Sequence, residues 1–575
     1  GCGRPVLRAL VDKGLVTVRE EEAKQTAPPY YPAPAAPLPL TPAQQEALEA
    51  ITASCQAPSG QPPAVFLLHG VTGSGKTEIY LQALAETVRR GRRGIMLVPE
   101  IALTPQAIER VAARFPGRTA LLHSGLSPRQ RFDRWQRVRQ GEVDVVIGSR
   151  SALFAPQPEL GLIIIDEEHE WTYKQTDPAP RYHARAAALR LAELCGATVV
   201  LGSATPDVES YHHAACGDYR LLELPERVGA GTRTALPRVE VVDMREELKA
   251  GNRGLFSRSL ERAVARTLAR GEQVILFLNR RGAATLVQCR HCGYIWRCPR
   301  CTVPLNYHPD AGALTCHQCN YRLPVPASCP QCRSPLLKFL GAGTQKLEKE
   351  AALAFPQARQ LRWDSDVTRQ DSHETLLNRF RNHEADILIG TQMIAKGLDI
   401  PSVTLVGVIN ADTGLNLPDF RAGERTFQLL SQVAGRAGRG APAGQVIIQT
   451  YSPGHYAVRA AARHDYAAFY RQEIGYRQQL HNPPFSQLAL LTHSRTNDAA
   501  CQQEAERFKK LLAAERDARG VAGLSLIGPA PAFIHRLRGR YRWQLVLRGA
   551  NLADFLAPVP LPPGWSLDID PVSLI

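Results

Sequence analysis

Long apolar runs are missing from this chain. No stretch of 18 apolar residues occurs, so no membrane-spanning helix is expected. The opening, GCGRPVLRAL, has neither the apolar core of a secretory signal nor an initiating methionine, and reads as a fragment or as a chain that has lost residues upstream. No repeat of fixed period is visible. Charge is sparse at 21%, and acidic residues are the scarcer kind, with Asp+Glu 54 against Lys+Arg 69. The resulting +15 favours a polyanionic partner such as nucleic acid, although a solvated surface can carry such an excess alone. At 575 residues the chain exceeds one hydrophobic core, and its 44% hydrophobic content can fill about three to five domains.

Cysteine is not scarce but confined. Eight of 13 lie in one 44-residue window as four C-x-x-C pairs: Cys289/Cys292, Cys298/Cys301, Cys316/Cys319 and Cys329/Cys332. A C-x-x-C loop sets two thiolates at the spacing of a tetrahedral zinc, and two loops complete one site, so four pairs predict two zinc ions. Spacing leaves sequential and nested pairing open. Clustered thiolates beside a nucleotide-binding loop fit a reducing compartment rather than a disulfide framework. The cysteines at 2, 55, 195, 216 and 501 are scattered and read as buried or incidental.

The order of segments predicts an α/β protein of seven parts. Residues 1–24 read as the last helix and wing of a winged helix, VLRALVDKGLV then LVTVRE, and 25–40 as a proline-rich linker. Over 41–225, buried parallel-type strands (AVFLLHG, GIMLVPE, DVVIGS, LIIIDEE, TVVLGSA) alternate with helices as a first lobe. A polar connector and the start of a second lobe fill 226–288, the cysteine insertion 289–332, and the rest of that lobe 333–455, with ADILIGTQM, VTLVGVINA and GQVIIQTY as strands. Residues 456–575 read as a small α+β domain containing LALLTHS, a helix over 497–518 and YRWQLVLRG.

GVTGSGKT, Gly70 to Thr77, matches G-x-x-x-x-G-K-T between a strand and a helix. Gly70, Gly73 and Gly75 let backbone N–H groups converge on phosphate, Lys76 reaches the β- and γ-phosphates, and Thr77 meets Mg²⁺. DEEH closes the strand LIII, placing Asp166 to hold Mg²⁺ and Glu167 to orient or deprotonate the attacking water. GSAT, Gly202 to Thr205, can sense phosphate state. QVAGRAGR supplies Arg436 and Arg439, three apart on one face, as fixed charges against the departing phosphate. With the fingers on one lobe and the phosphate loop on the other, hydrolysis requires closed lobes, and closure becomes the power stroke.

These blocks resemble the superfamily 2 helicases and, more closely, the PriA family of bacterial replication-restart helicases (primosomal protein N′). The segments carrying the likeness include LTPAQQEAL, LVPEIALTPQ, LHSGLS, VIGSRSALF, DEEHEWTYKQTDPAPRYHARAAA, LGSATPDVES, FLNRRGAA, GTQMIAKGLDIPSV and HNPPF, together with the cysteine pairs. The resemblance implies two RecA-like lobes of parallel sheet with a two-zinc insertion in the second. It also implies an ATP- and Mg²⁺-dependent 3′→5′ DNA helicase, cytoplasmic and nucleoid-associated, that acts on single-stranded and forked DNA. Primosome proteins, the single-stranded-DNA-binding protein and the replicative helicase loader are the implied partners. By position, Gln44 reads adenine, and Gly397 and Asp399 lie beside the nucleotide. TPQAIER after Glu100, Gly148–Arg150 and Gly390–Gln392 grip single-stranded DNA. Trp171, Tyr173, Lys174, Arg181, Tyr182 and His183 form a loop coupling DNA to hydrolysis; its mix of rings and cations suits bases and phosphates. The outer cysteine pairs then share one zinc and the inner pairs the other, leaving His291, His308 and His317 as surface or packing residues. Departures are the missing N-terminal DNA-binding domain, Gln345 where the family has Glu, and Leu398 where it has His. An RNA or duplex-DNA translocase, and a non-enzymatic primosome scaffold, are the rival readings.

Overall fold

The computed structural model describes residues 9–17, 35–55, 62–99, 105–228, 236–278, 285–300, 303–308, 312–317, 319–340, 344–364, 373–391, 394, 400–437 and 444–575. The first lobe is a seven-stranded parallel sheet of β1 (Val65–Gly70), β2 (Arg93–Leu97), β3 (Thr119–Leu122), β4 (Val145–Gly148), β5 (Leu160–Asp166), β6 (Thr198–Ser203) and β7 (Arg220–Leu224). Its order is β3-β4-β2-β5-β6-β1-β7. A parallel sheet covered by helices on both faces buries both sides of its strands, which is why β5 reads LGLIII without polar alternation and is buried throughout that run. β5, β6 and β1 are neighbours in register, Asp166 opposite Gly202 and His69 opposite Ser203, so their carboxyl ends open side by side at one edge.

The second lobe opens with β8 (Arg238–Asp243) and β9 (Gln273–Phe277). The chain then leaves it for five short antiparallel strands. These are β10 (Thr285–Cys289), β11 (Asn306–His308), β12 (Ala313–Thr315), β13 (Arg322–Pro324) and β14 (Leu337–Leu340), in the order β13-β12-β11-β10-β14. It returns through β15 (Gln360–Trp363), β16 (Ile387–Gly390), β17 (Val403–Val408) and β18 (Gln445–Thr450), giving a parallel sheet β15-β16-β9-β17-β18-β8. The last unit is an antiparallel sheet of β19 (Gln487–Arg495), β20 (Ser525–Leu537), β21 (Arg540–Gly549) and β22 (Trp565–Ile569), in the order β20-β21-β19-β22. The helix Asp498–Ala518 lays Phe508 and Leu512 on its Trp543, Leu545 and Leu547.

Several elements depart from expectation. The polar connector contains β8, an edge strand of the second lobe, and the cysteine module extends as a sheet from 285 to 340 rather than from 289 to 332. Strands β3, β7, β15, β20 and β22 lie outside the segments that read as strands. Near the start, residues 9–12 are helical and 15–17 are irregular instead of strand, and the rest of that wing lies outside the described residues.

Candidate nucleotide site and its surroundings

The phosphate loop hangs between β1 and the helix Lys76–Arg89. Gly75 is required twice over: its φ of +80° is left-handed, and a Cβ there would lie 2.3 Å from the Gln44 amide nitrogen. Gln44 sits beneath the loop on the helix Pro42–Ser54. Its Oε1 accepts from Thr41 N–H (2.8 Å) and its amide donates to the Ser74 carbonyl (2.8 Å), bracing the loop from below. The buried Lys76 ammonium donates to the Gly70 carbonyl at 2.6 Å, spanning the loop. Burial lowers its pKa, against the pull of Glu167 and Asp166. Thr77 is half-buried at the helix start, and Gly73 is exposed at the loop tip.

Asp166 ends β5 across from Lys76. The Tyr80 hydroxyl donates to its Oδ1 (3.1 Å) and the Tyr173 hydroxyl to its carbonyl (2.7 Å). Tyr80 reaches there only because residue 202 is glycine, since a Cβ would fall 1.6 Å from its hydroxyl. Burial, then the neighbouring Glu167, push the Asp166 carboxyl up to about 6, with Lys76 opposing. Glu167 follows with φ +48°. Its Oε2 is buried without a hydrogen-bond partner, 3.6 Å from His169 Nδ1, and Ser74 Oγ and Thr205 Oγ1 are likewise buried without one. The Lys76 ammonium of the phosphate loop, facing the Asp166 and Glu167 carboxyls at the neighbouring strand end, suits the phosphates of a nucleoside triphosphate and its divalent cation.

The second lobe reaches this space through the helix Ala422–Ala434. The Gln432 amide lies 2.7 Å from His169 Nε2, while His169 Nδ1 lies 2.7 Å from Ser203 Oγ, so the last residue of DEEH bridges GSAT and the opposite lobe. A Cβ on Gly435 would sit 3.1 Å from Thr72 Oγ1 in the phosphate loop. Arg436 follows directly and is half-buried. Arg439, Gly397, Asp399, Glu100 and Gln392 lie outside the described residues.

Sequence reasoning missed a buried charge network behind the site. Glu168 accepts from Asp207 N–H (2.7 Å), Ser210 (2.8 Å) and Arg185 (3.0 Å). Arg421 of the second lobe meets Asp207 (3.3 Å), Glu209 and Glu424 (3.4 Å), and Arg477 joins Glu424 (2.7 Å) to Glu473 (2.9 Å). Burial pushes the Asp207 carboxyl up, but Arg185, Arg421 and Arg477 outweigh it and hold it well below the carboxylate range. The backbone adds Val208 N–H donating to Glu424 (2.8 Å) across the lobes.

The loop after DEEH divides its residues between solvent and protein. Trp171 is 44% exposed, whereas Tyr173 and Lys174 are packed inside and half-buried His183 caps the helix Ala184–Cys195. Arg150 grips the loop instead of facing outward: it donates to the carbonyls of Thr172 (2.9 Å) and Lys174 (2.7 Å) and lies over Tyr182. In the cysteine module the Sγ atoms of Cys289, Cys292, Cys329 and Cys332 lie within 4.8 Å of one another, as do those of Cys298, Cys316 and Cys319. Cys301, the remaining member of the inner pairs, lies outside the described residues. Both groups can hold zinc, in nested order. His317 packs against the C-terminal domain, its Nδ1 lying 3.0 Å from the Pro531 carbonyl while its own carbonyl accepts from Gln544 (3.0 Å).

Comparison with known proteins places these features together. Family models match in four stretches: DEAD/DEAH box helicase over 41–213, helicase conserved C-terminal domain over 343–441, PriA DNA helicase Cys-rich region over 298–324, and primosomal protein N C-terminal domain over 478–572. A replication restart protein PriA of Bacillus subtilis (strain 168) is 47% identical over 546 residues, 94% of this chain and 66% of the relative. That of Synechocystis sp. is 44% identical over 590 residues, covering 100% and 69%, and that of Treponema pallidum (strain Nichols) 42% over 541, covering 92% and 80%. The chain belongs to the PriA family. It spans about two thirds of the length of the first two relatives. Like the family, it carries the two motor domains of an ATP-dependent helicase and a zinc-binding Cys-rich region. Among solved structures, RecG bound to a three-way DNA junction overlaps 77% of this chain and 50% of its own at 16% identity and a TM-score of 0.44. Among the described residues no helix is long and apolar enough to cross a membrane.

Proposed function

We propose that this chain is the motor of a replication-restart helicase, unwinding DNA 3′→5′ at stalled forks and initiating primosome assembly. The observation that carries the reading is the convergence of three adjacent strand ends on one cleft faced by the second lobe, in a chain whose relatives are named replication restart proteins. In this reading, Lys76 leaves the Gly70 carbonyl for the β- and γ-phosphates, and the N–H groups of Gly70 to Gly75 line the phosphate chain. Thr77 and Asp166 hold Mg²⁺, which when bound neutralises developing phosphate charge. Glu167 orients the water and accepts its proton. Arg436 and Arg439 bring positive charge from the second lobe, and Gln44, Gly397 and Asp399 border the nucleotide.

Single-stranded DNA lies across both lobes, with exposed Trp171 stacking on a base and Tyr173 relaying the loop's position to the Asp166 carbonyl. Cys289, Cys292, Cys329 and Cys332 hold one zinc, and Cys298, Cys301, Cys316 and Cys319 the other. Primosome proteins, the single-stranded-DNA-binding protein and the helicase loader are the proposed partners, in the cytoplasm at the nucleoid. The test is steady-state ATP hydrolysis without nucleic acid and with single-stranded DNA, duplex DNA or RNA, beside Lys76→Ala. Stimulation is expected to be strongest with single-stranded DNA, and the variant to be inactive. Strongest stimulation by duplex or RNA would make the chain a translocase on another track. A Lys76→Ala rate near wild type would remove the site.

A further inference from the structure

The loop that follows DEEH is strapped to the far end of the chain. β22 is an edge strand: it pairs with β19 on one side, and among the described residues no strand covers the other. Its inward backbone groups are used by β19, and Asp570 N–H just past its end donates to the Leu488 carbonyl. The alternate carbonyls, Leu567 and Ile569, point the other way, where an unpaired edge exposes acceptors that must find donors. Both find them in the loop. Arg181 donates to the Leu567 carbonyl at 2.7 Å and Lys174 to the Ile569 carbonyl at 2.5 Å. Lys174 Nζ also lies 2.9 Å from Asp568 Oδ1, an ion pair without hydrogen-bond alignment. The Lys174 side chain is only 2% exposed, so this ammonium is withdrawn from solvent, and Asp568 is its closest counter-charge.

The contact is three bonds deep in consequence. Lys174 adjoins Tyr173, whose hydroxyl holds the Asp166 carbonyl at 2.7 Å. The loop closes on itself there, with Lys174 bridged to His183 and Gln175 N–H donating to the Tyr182 carbonyl at 2.9 Å. Arg150 fixes the opposite side through the Thr172 and Lys174 carbonyls. A segment pinned at the catalytic strand, at the end of β4 and at β22 has one register, and Trp171 is its exposed large ring, Tyr182 being half-buried.

We infer that Asp568 is a positioning residue for DNA-stimulated hydrolysis: the C-terminal domain holds the Trp171–His183 loop in the register that lets bound DNA act on Asp166. This rests on the proposed coupling role of that loop. Without the Asp568 charge, Lys174 is a buried cation left with a carbonyl and the more distant Asp570, and the loop loses the anion that lies at ion-pair distance.

The test uses the whole chain with Asp568→Asn, which keeps shape and removes charge, and Asp568→Glu, which restores the charge. ATPase is titrated with single-stranded oligonucleotide, and binding of the same oligonucleotide is followed by fluorescence anisotropy. For Asp568→Asn, the hydrolysis rate without DNA is expected to stay at wild type, while the DNA-stimulated increment falls at least about fivefold. Oligonucleotide affinity should change less than the increment, and Asp568→Glu should recover most of the stimulation. Wild-type stimulation in Asp568→Asn, or an equal proportional fall in basal and stimulated rates, would overturn the inference. Trp171→Ala separates the two levels. If it lowers stimulation and Asp568→Asn does not, the strap fails and the loop stands. If Trp171→Ala leaves stimulation intact, the loop reading itself fails and takes the strap with it.

Discussion

Arg421→Ala should open the motor. Arg421 is a second-lobe cation set among Asp207 and Glu209 of the first lobe and Glu424 of its own, with a side chain 11% exposed. Breaking one partner of a buried pair costs about 3–5 kcal/mol, because the remaining charges stay buried. Here the low end applies. Arg185 still lies 3.5 Å from Asp207 and 3.4 Å from Glu209, and Arg477 still lies 2.7 Å from Glu424. About 3 kcal/mol is an upper bound on what the contact between lobes loses, since Glu424 belongs to Arg421's own lobe, and it shifts the closed-to-open ratio by up to roughly a hundredfold. Because Gly435 approaches Thr72, and Gln432 His169, only when the lobes meet, turnover should fall with the closed population while each lobe remains folded. Paired dyes on the two lobes, read by energy transfer, should report separation in the variant, with ATP hydrolysis reduced in parallel and far-ultraviolet circular dichroism unchanged. Arg421→Lys, retaining charge without the planar fork, should fall between. A compact Arg421→Ala protein hydrolysing ATP at the wild-type rate would refute the argument.

Glu167→Gln should bind ATP and turn it over at least about a hundredfold more slowly, since the amide accepts no proton; an unchanged kcat would remove Glu167 from that role. Elemental analysis should find two zinc ions per chain, one lost in Cys298→Ser and the other in Cys289→Ser; a value near one in reduced wild-type protein would break the nested sites. Acid should act through His455. Burial, then Arg297, lower it to about 4, and its Nδ1 caps the helix Tyr456–Ala462 by accepting from Ala457 N–H. A group depressed on folding contributes full stability above its unfolded value of about 6.5 and loses it as pH falls toward 4, up to about 2 kcal/mol at pH 5. His455→Asn keeps an acceptor at the cap and should lose less thermal stability between pH 7 and pH 5 than the wild type; identical slopes would count against this.

The chemistry-bearing segments were legible because each is dense and local. GVTGSGKT, DEEH and the C-x-x-C pairs state their geometry within eight residues, and the strands before them are apolar because parallel sheets bury both faces. β3 and β7 went unread because TALL is short and RLLEL begins and breaks with charge at the sheet's outer positions. β20 hid behind its own Gly528, Pro529 and Pro531, which its shifted pairing with β21 accommodates. The larger omission was partnership at a distance. WTYKQ reads as rings and cations for nucleic acid, yet Lys174 is held by Ile569, 395 residues away, and no local pattern marks which cation in a loop is spoken for.

That separation also bears on biosynthesis. Chains fold from the amino end as they emerge from the ribosome. The first lobe can close its sheet once β7 at Leu224 has appeared, long before residues 567–569 exist. Until those residues are made, Lys174 and Arg181 have no edge strand to hold. A nascent chain can thus own a finished phosphate loop while the loop beside it lacks its final anchor, and that loop is completed only when the last strand arrives.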